Sequence, residues 1–403
     1  MSVRGGMAGR TIIIAGCGIA GLACAALLAR QGERVVVHDR MEKPAPLGSG
    51  LILQPVGLAV LDELNAGERL RLLGAPIKRL FGRVRPSGRV VLDVRYRELG
   101  SAIEGVAVHR GTLFEALFDA AVSAGVEIAS GKEVTGASDG RISFANGSVS
   151  AKAELVVDAL GVKSPLSRKH AIPPLPFGAL WGNVDWSGDP FDENALEQRY
   201  EKAHKMVGVL PIGSMRPGTP RQASLFWSLK QADLAAWRSA GLDTWKDEVR
   251  RLWPQTEPLL GQLRDREQLI FAAYSHATLA SPVGDRLVQI GDSWHSASPQ
   301  LGQGANMALL DALALARALA MHGDMGRALE AFRRSRSGHI RLYQLASWMF
   351  TPAYQSDGHA VAWLRDWLIS PLSRVWPAPK ILAALVAGRI GSPLSAISAI
   401  GDG

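Results

Sequence analysis

Between Thr11 and Ala29 the chain reads TIIIAGCGIAGLACAALLA, and this stretch limits the possible folds more than any other. It follows Arg4 and Arg10, so apolarity alone would allow a signal peptide or a membrane span. Gly16, Gly18 and Gly21 argue against both, because they divide the stretch into a β-branched run, a turn and an alanine-rich helix. The pattern predicts a buried strand over 11–15, a helix over 19–31 and a second strand over 33–39, a βαβ unit of parallel sheet. Other apolar runs fall far below the ~20 residues that a span requires, so no transmembrane segment is expected.

The turn has a definite chemistry. In Gly16-Cys17-Gly18-Ile19-Ala20-Gly21, the first glycine permits the tight turn, the second lets a pyrophosphate approach the backbone, and the third lets helix and strand pack closely. The helix N-terminus faces the anion, and Asp39 at the end of the next strand can accept hydrogen bonds from ribose hydroxyls.

The rest of the chain alternates in the same style and then departs from it. Helices are expected over 57–64 and 112–124, and strands over 125–129 and 155–159. The segment 81–94 reads as a hairpin about Pro86-Ser87-Gly88 that belongs to a different sheet. Over 179–230, short strands rich in Val, Leu, Trp and Phe and broken by Pro and Gly predict a mixed or antiparallel sheet. A buried strand returns at 287–290, followed by a long helix over 305–321. Residues 331–403 read as helices broken by Pro352, Pro371, Pro377, Pro379 and Pro393, with Trp348, Trp363, Trp367 and Trp376 among them.

At 403 residues, with 47% hydrophobic and 20% charged side chains, the chain is not disordered, collagen-like or coiled-coil. Its only cysteines, Cys17 and Cys24, give no disulfide framework and no metal-ligand cluster, so no metal is expected and a cytoplasmic location is the default. The net charge of +8 names no partner by itself. Most of it, +5, lies in 331–403.

A second motif is Gly291-Asp292-Ser293-Trp294-His295, followed by Pro299-Gln300-Leu301-Gly302-Gln303-Gly304-Ala305-Asn306. A carboxylate at a strand end can bind a polyol, and the free amides of a helix N-terminus can hold developing negative charge. Both suit a flavin.

With these residues the chain resembles the class A flavoprotein monooxygenases, the p-hydroxybenzoate hydroxylase family, from the first strand to about residue 325. The resemblance implies an α/β fold: a Rossmann-like, GR2-type FAD-binding domain, with an inserted mixed β-sheet substrate domain and a helical C-terminal segment. The corresponding divisions are 1–80, 101–175 and 277–330 for FAD, 81–100 and 176–276 for substrate, and 331–403 for the tail. It implies that Gly16, Gly18, Ile19, Ala20, Gly21, Asp39, Arg40, Arg110 and Val134 hold the cofactor at one end. Asp292, Pro299, Gly302, Gly304, Ala305 and Asn306 would hold it at the other, with Pro299 beside the face where oxygen adds. Arg110 lies in His109-Arg110-Gly111-Thr112-Leu113, similar to the family's Arg-x-x-Leu element. One departure is plain: Leu160 stands where the family carries Asp before Gly161, and Asp158 lies two positions earlier.

There is one dinucleotide fingerprint and no Cys-x-x-Cys pair, so NADH or NADPH would bind transiently as electron donor. The implied reaction is hydroxylation of an aromatic or heteroaromatic molecule by NAD(P)H and O2 through a C4a-hydroperoxyflavin, in a dry pocket. Trp181, Asn183, Met206, Val207, Leu210, Phe226 and Trp227 are candidates for its walls. His204, Tyr274 and His276 are candidates for a base that would deprotonate a phenol. No nucleic-acid partner is expected, and the molecule is read as a monomer or homodimer. Competing readings are a halogenase or prenyl reductase of the same fold, although Trp181-Gly-Asn-Val-Asp-Trp186 does not match the halogenase signature. A flavin-binding protein that touches membrane through its basic, Trp-bearing tail is a third; a helical lobe over the substrate pocket is the plainer view of that tail.

Overall fold

The computed structural model describes residues 9–43, 48–167 and 174–401; Arg4, part of the basic lead into the first strand, lies outside them. A six-stranded sheet runs in the order Val283–Gly284, Leu287–Gln289, Leu155–Asp158, Thr11–Ala15, Arg34–His38, Glu127–Ala129. All pairs are parallel except the first. Thr11–Ala15 sits inside this sheet with Ile12 and Ile14 fully buried, which is why it reads as a continuous apolar run. The helices Ile19–Arg30, Arg110–Ser123 and Gly304–Met321 contribute to the same core. Leu22, Leu28 and Leu309 are fully buried there, each worth about 2 kcal/mol of burial. Gly304–Met321 is long and apolar enough to cross a membrane, yet 72% of it is buried inside the protein, as befits a core helix.

The second sheet has seven strands, in the order Ile270–Ala273, Phe177–Asp185, Arg221–Lys230, Lys205–Ser214, Ala195–Glu201, Arg79–Val84, Val90–Arg95. Only the pairing of Ala195–Glu201 with Arg79–Val84 is parallel, so the sheet is mixed. Its strands are longer than the sequence suggested, four of them running seven to ten residues. The glycines inside them are packing positions, not breaks: a Cβ on Gly208 would lie 2.0 Å from the Phe226 ring. One face of the sheet is covered by helix Leu242–Leu252, absent from the sequence reading although Trp245, Val249 and Leu252 repeat at helical spacing. A three-stranded sheet, Gly50–Leu53, Gly105–His109 and Ala75–Ile77, and a hairpin, Val134–Ser138 with Arg141–Phe144, also went unread.

The tail begins with a thirty-residue helix, Met325–Tyr354. Pro352 does not break it, a correction to the sequence reading: in the last turn a proline forfeits one backbone bond and the helix ends two residues later. Shorter helices follow and cover the edge strand Val90–Arg95. Ser370 and Arg374 donate to the Val90 carbonyl, and Tyr354 donates to that of Val91.

Candidate functional site: a flavin cleft opening on an apolar cavity

The three fingerprint glycines are glycine for different reasons. Gly16 has φ +107°, and a Cβ there would meet the Ala159 carbonyl at 2.5 Å. A Cβ on Gly21 would lie 2.0 Å from the Gly16 oxygen. At Gly18 the backbone is extended and, its chain neighbours aside, no atom of the described residues lies within 4 Å of a Cβ position. The fold itself would therefore tolerate a side chain at 18, and the open space lies directly before the N-terminus of Ile19–Arg30. That helix carries no acidic residue in its first turn, leaving its positive end for an external anion. Asp39 is locked beside the turn, accepting from the Cys17 amide at 2.8 Å and the Met41 amide at 2.9 Å. Burial, with the Asp39 carboxylate, pushes the Cys17 thiol up to about 12, so it is inert. Arg40 lines a hollow with Lys132, Glu133 and Phe144, and Val134 is buried in the adjoining hairpin.

At the other end, Gly291–Ser293 forms a tight turn that exposes Asp292. Its geometry is imposed from below. The Gly291 amide donates to Asp311 at 2.9 Å, and the same carboxylate binds His295 Nε2 at 2.7 Å and Arg336 Nε at 2.8 Å. Burial alone would raise the Asp311 pKa, but His295 and Arg336 more than offset it and hold it below the usual range. Arg336 continues to His339 Nδ1, whose Nε2 donates to the Gly388 carbonyl. Burial and Arg336 push His339 down to about 3, so it is neutral.

Pro299, Gly302, Gly304 and Ala305 line one cavity together with Asp292, Arg110 and Gln54. Asn306 does not reach it. Its amide is spent on the Gln54 amide at 2.8 Å and on the Ile52 and Gly302 carbonyls, and it shapes the loop from behind. The Arg110 guanidinium lies beside Gly48 and forms no ion pair among the described residues. Asp158 does not stand in for the carboxylate missing at Leu160. It is fully buried, accepting from the Leu160 amide and from the Ser164 and Ser293 hydroxyls, and so fastens this loop to the Gly291–Ser293 turn.

The cavity, about 370 Å3, extends from this cleft between the seven-stranded sheet and the tail helices. Trp181, Met206, Leu210 and Phe226 line it, with Trp181 stacked on Phe226 at 4.5 Å. Val207 and Trp227 do not: neighbours along a strand point to opposite faces, and both belong to the cluster under Leu242–Leu252. Asn183 shares the face of Trp181 but sits farther along the strand, accepting from Ser224. Neither His204 nor His276 lines the cavity; His204 lies in the turn before Lys205–Ser214 and His276 after Ile270–Ala273. Burial lowers both pKa values. Tyr274 is in the wall, accepting from Trp181 Nε1, and burial pushes its hydroxyl up to about 12. Sequence reasoning missed Gln54, Gln198, Tyr200, Tyr354 and Gln355, which meet here only through the fold. Among the described residues, Arg110 and Asp292 are the only charged ones that line the cavity, and no metal-binding cluster occurs.

The model of the FAD binding domain family matches residues 10–338. The chain is 26% identical over 386 residues to 2-heptyl-3-hydroxy-4(1H)-quinolone synthase of Pseudomonas aeruginosa, covering 89% of this chain and 93% of that one. It is 25% identical over 347 residues to the FAD-dependent urate hydroxylase of Klebsiella pneumoniae, covering 82% and 86%. Among solved structures, 2-methyl-3-hydroxypyridine-5-carboxylic acid oxygenase superposes with a TM-score of 0.77 at 22% identity, covering 96% and 98%. The Klebsiella pneumoniae protein HpxO, complexed with FAD and uric acid, gives 0.73 at 20% identity, covering 96% and 97%. A family match over most of the chain, on a fold whose glycine turn leaves room for a pyrophosphate, places this protein in the FAD binding domain family, among the class A FAD-dependent aromatic monooxygenases.

Proposed function

We propose that this monooxygenase hydroxylates a neutral, largely apolar heteroaromatic compound of the 2-alkyl-4-quinolone kind, with NADH or NADPH as electron donor. The observation that carries the reading is the cavity wall: its charged groups, Arg110 and Asp292, both belong to the cofactor-cleft motifs, and the remainder is apolar, aromatic or neutral amide. A carboxylate or urate anion would lose its hydration there with no cation beyond Arg110, among the described residues, to replace it. Bound FAD, once reduced, supplies the activation of O2, with one oxygen atom going to the substrate and the other to water.

The residues would share the work as follows. The amides at Ile19 to Gly21 and the open space at Gly18 hold the pyrophosphate, while Asp39, Arg40 and Val134 serve the adenosine end. Asp292 and Arg110 serve the ribityl side, and the Gly302 to Ala305 turn turns its amides toward the flavin's pyrimidine edge. Pro299 keeps the oxygen face free of hydrogen-bond donors. Among the described residues, the wall has no basic side chain with a proton affinity near neutrality. That suits a substrate whose ring carbon is already electron-rich, such as the enamine carbon of a 4-quinolone, and does not suit a phenol that must first be ionised. Tyr274, neutral at working pH, can donate to a substrate carbonyl.

The test is oxygen consumption, NAD(P)H oxidation and peroxide release with a 2-alkyl-4-quinolone, urate and a hydroxypyridine carboxylate. Coupled turnover is expected with the quinolone alone. Coupled turnover of either anion without the quinolone would overturn the substrate class.

A further inference from the structure

The tail has two faces with different characters. Inward, Phe350, Tyr354, Leu382, Leu385 and Val386 complete the cavity wall. Outward, these helices expose Leu345, Trp348, Met349 and Ile381, and the segment 359–376 between them is more apolar still. Of eighteen large hydrophobic side chains exposed among the described residues, twelve lie between Leu345 and Ile381. Trp376 is 81% exposed, Trp348 65% and Trp363 62%. A patch so concentrated is not the scattered apolar exposure of an ordinary surface.

Charge identifies what covers it. Arg341, Arg374, Lys380 and Arg389 are exposed in the same segment and form no ion pair among the described residues. Arg341 lies one turn from Leu345 and two turns from Trp348 and Met349, so the α-helix Met325–Tyr354 carries a cation at one end of an apolar stripe. The two acids of the segment are already engaged, Asp357 with Lys230 and Asp366 with Arg365. A symmetric second copy would set these four cations against themselves with no free carboxylate to answer them. Tryptophans beside lysine and arginine match the headgroup region of an anionic bilayer instead, where indole rings sit at the interface and cations meet lipid phosphate.

We propose that the outward face of residues 341–389 docks the protein on an anionic lipid bilayer. The cavity wall and the docking face then share the helices Met325–Tyr354 and Ala378–Val386, so an apolar substrate dissolved in lipid has the tail alone between it and the cavity.

The experiment uses the full-length flavoprotein in vesicle flotation, with phosphatidylcholine alone and with one part phosphatidylglycerol added to two parts phosphatidylcholine. A triple variant, Trp348→Ser, Trp363→Ser and Trp376→Ser, alters only exposed side chains; its flavin content and thermal transition serve as checks that it folds. The wild type is expected to float with the anionic vesicles, to lose binding as salt is raised, and to bind about ten-fold more weakly in the triple variant. Protein that stays in solution with both vesicle types overturns the proposal. So does a concentration-dependent dimer, seen by light scattering, that the triple variant abolishes without any vesicle binding. Flotation is read without turnover, so its failure leaves the hydroxylase reading standing.

Discussion

At the scale of single residues, the glycines separate what the fold needs from what a cofactor needs. Gly21 is required by packing, since its Cβ would penetrate the Gly16 carbonyl, whereas Gly18 borders open space. Gly21→Ala is therefore expected to lower stability by about 1–3 kcal/mol through overpacking, measured by denaturant unfolding. Gly18→Val is expected to leave the apoprotein's unfolding within about 0.5 kcal/mol and to abolish yellow, flavin-loaded protein. Equal effects of both on stability would contradict this division. Asp158→Ala leaves the Leu160 amide and the Ser164 hydroxyl without their acceptor, and the Ser293 hydroxyl with only the Gly161 carbonyl, and is expected to cost about 2–4 kcal/mol. Both glycine motifs were legible in the sequence because their spacing reflects local backbone geometry. The burial of Asp158 was not, because Ser293, one of its partners, is 135 positions away.

At the scale of elements, the helix Gly304–Met321 presents the loop above it and anchors the turn beside it through Asp311, and the Met325–Tyr354 helix secures that anchor with Arg336 and His339. His339 gives this packing a pH signature. Its native pKa is about 3, below the ordinary histidine value of ~6.5 for an unfolded chain. Above that value neither state holds the proton. As pH falls through it, the unfolded chain takes up a proton that the native state refuses. This histidine alone should make stability decline by about 1.4 kcal/mol per pH unit from near pH 6 toward pH 3. Urea unfolding across this window measures the slope, and His339→Gln should lessen it by about 1.4 kcal/mol per pH unit, the other histidines whose pKa burial lowers and Asp311 keeping the remainder. An unchanged slope would show that the proton is taken up elsewhere. The parallel strands and long helices were readable because burial on both faces gives runs of apolar residues. The three-stranded sheet and the hairpin were hidden because strands of three to five residues carry too few alternations to be distinguished.

At the scale of the molecule, the tail closes a cavity that lies between the glycine-turn cleft and the seven-stranded sheet. Of the side chains that the sequence offered for the pocket, Trp181, Met206, Leu210, Phe226 and Tyr274 line the cavity, whereas strand parity excludes Val207 and Trp227, and Asn183 and the two histidines lie outside it. Tyr200, Tyr354 and Leu385 come together only in three dimensions, from the seven-stranded sheet and from the tail. Closure should matter to coupling more than to cofactor binding, because water in the cavity promotes loss of peroxide. Leu385→Ser is expected to raise the fraction of electrons lost as hydrogen peroxide several-fold while flavin content stays unchanged. Unaltered coupling would mean that the tail does not seal the cavity.

The most direct test of the proposed activity follows oxygen itself. The purified flavoprotein is given NADH or NADPH, a 2-alkyl-4-quinolone and isotopically heavy O2, and the product is weighed by mass spectrometry. The expected product carries a single heavy oxygen atom derived from O2, at one equivalent of reduced nicotinamide per product. A protein that retains no FAD, or a product whose new oxygen comes from water, would contradict the reading.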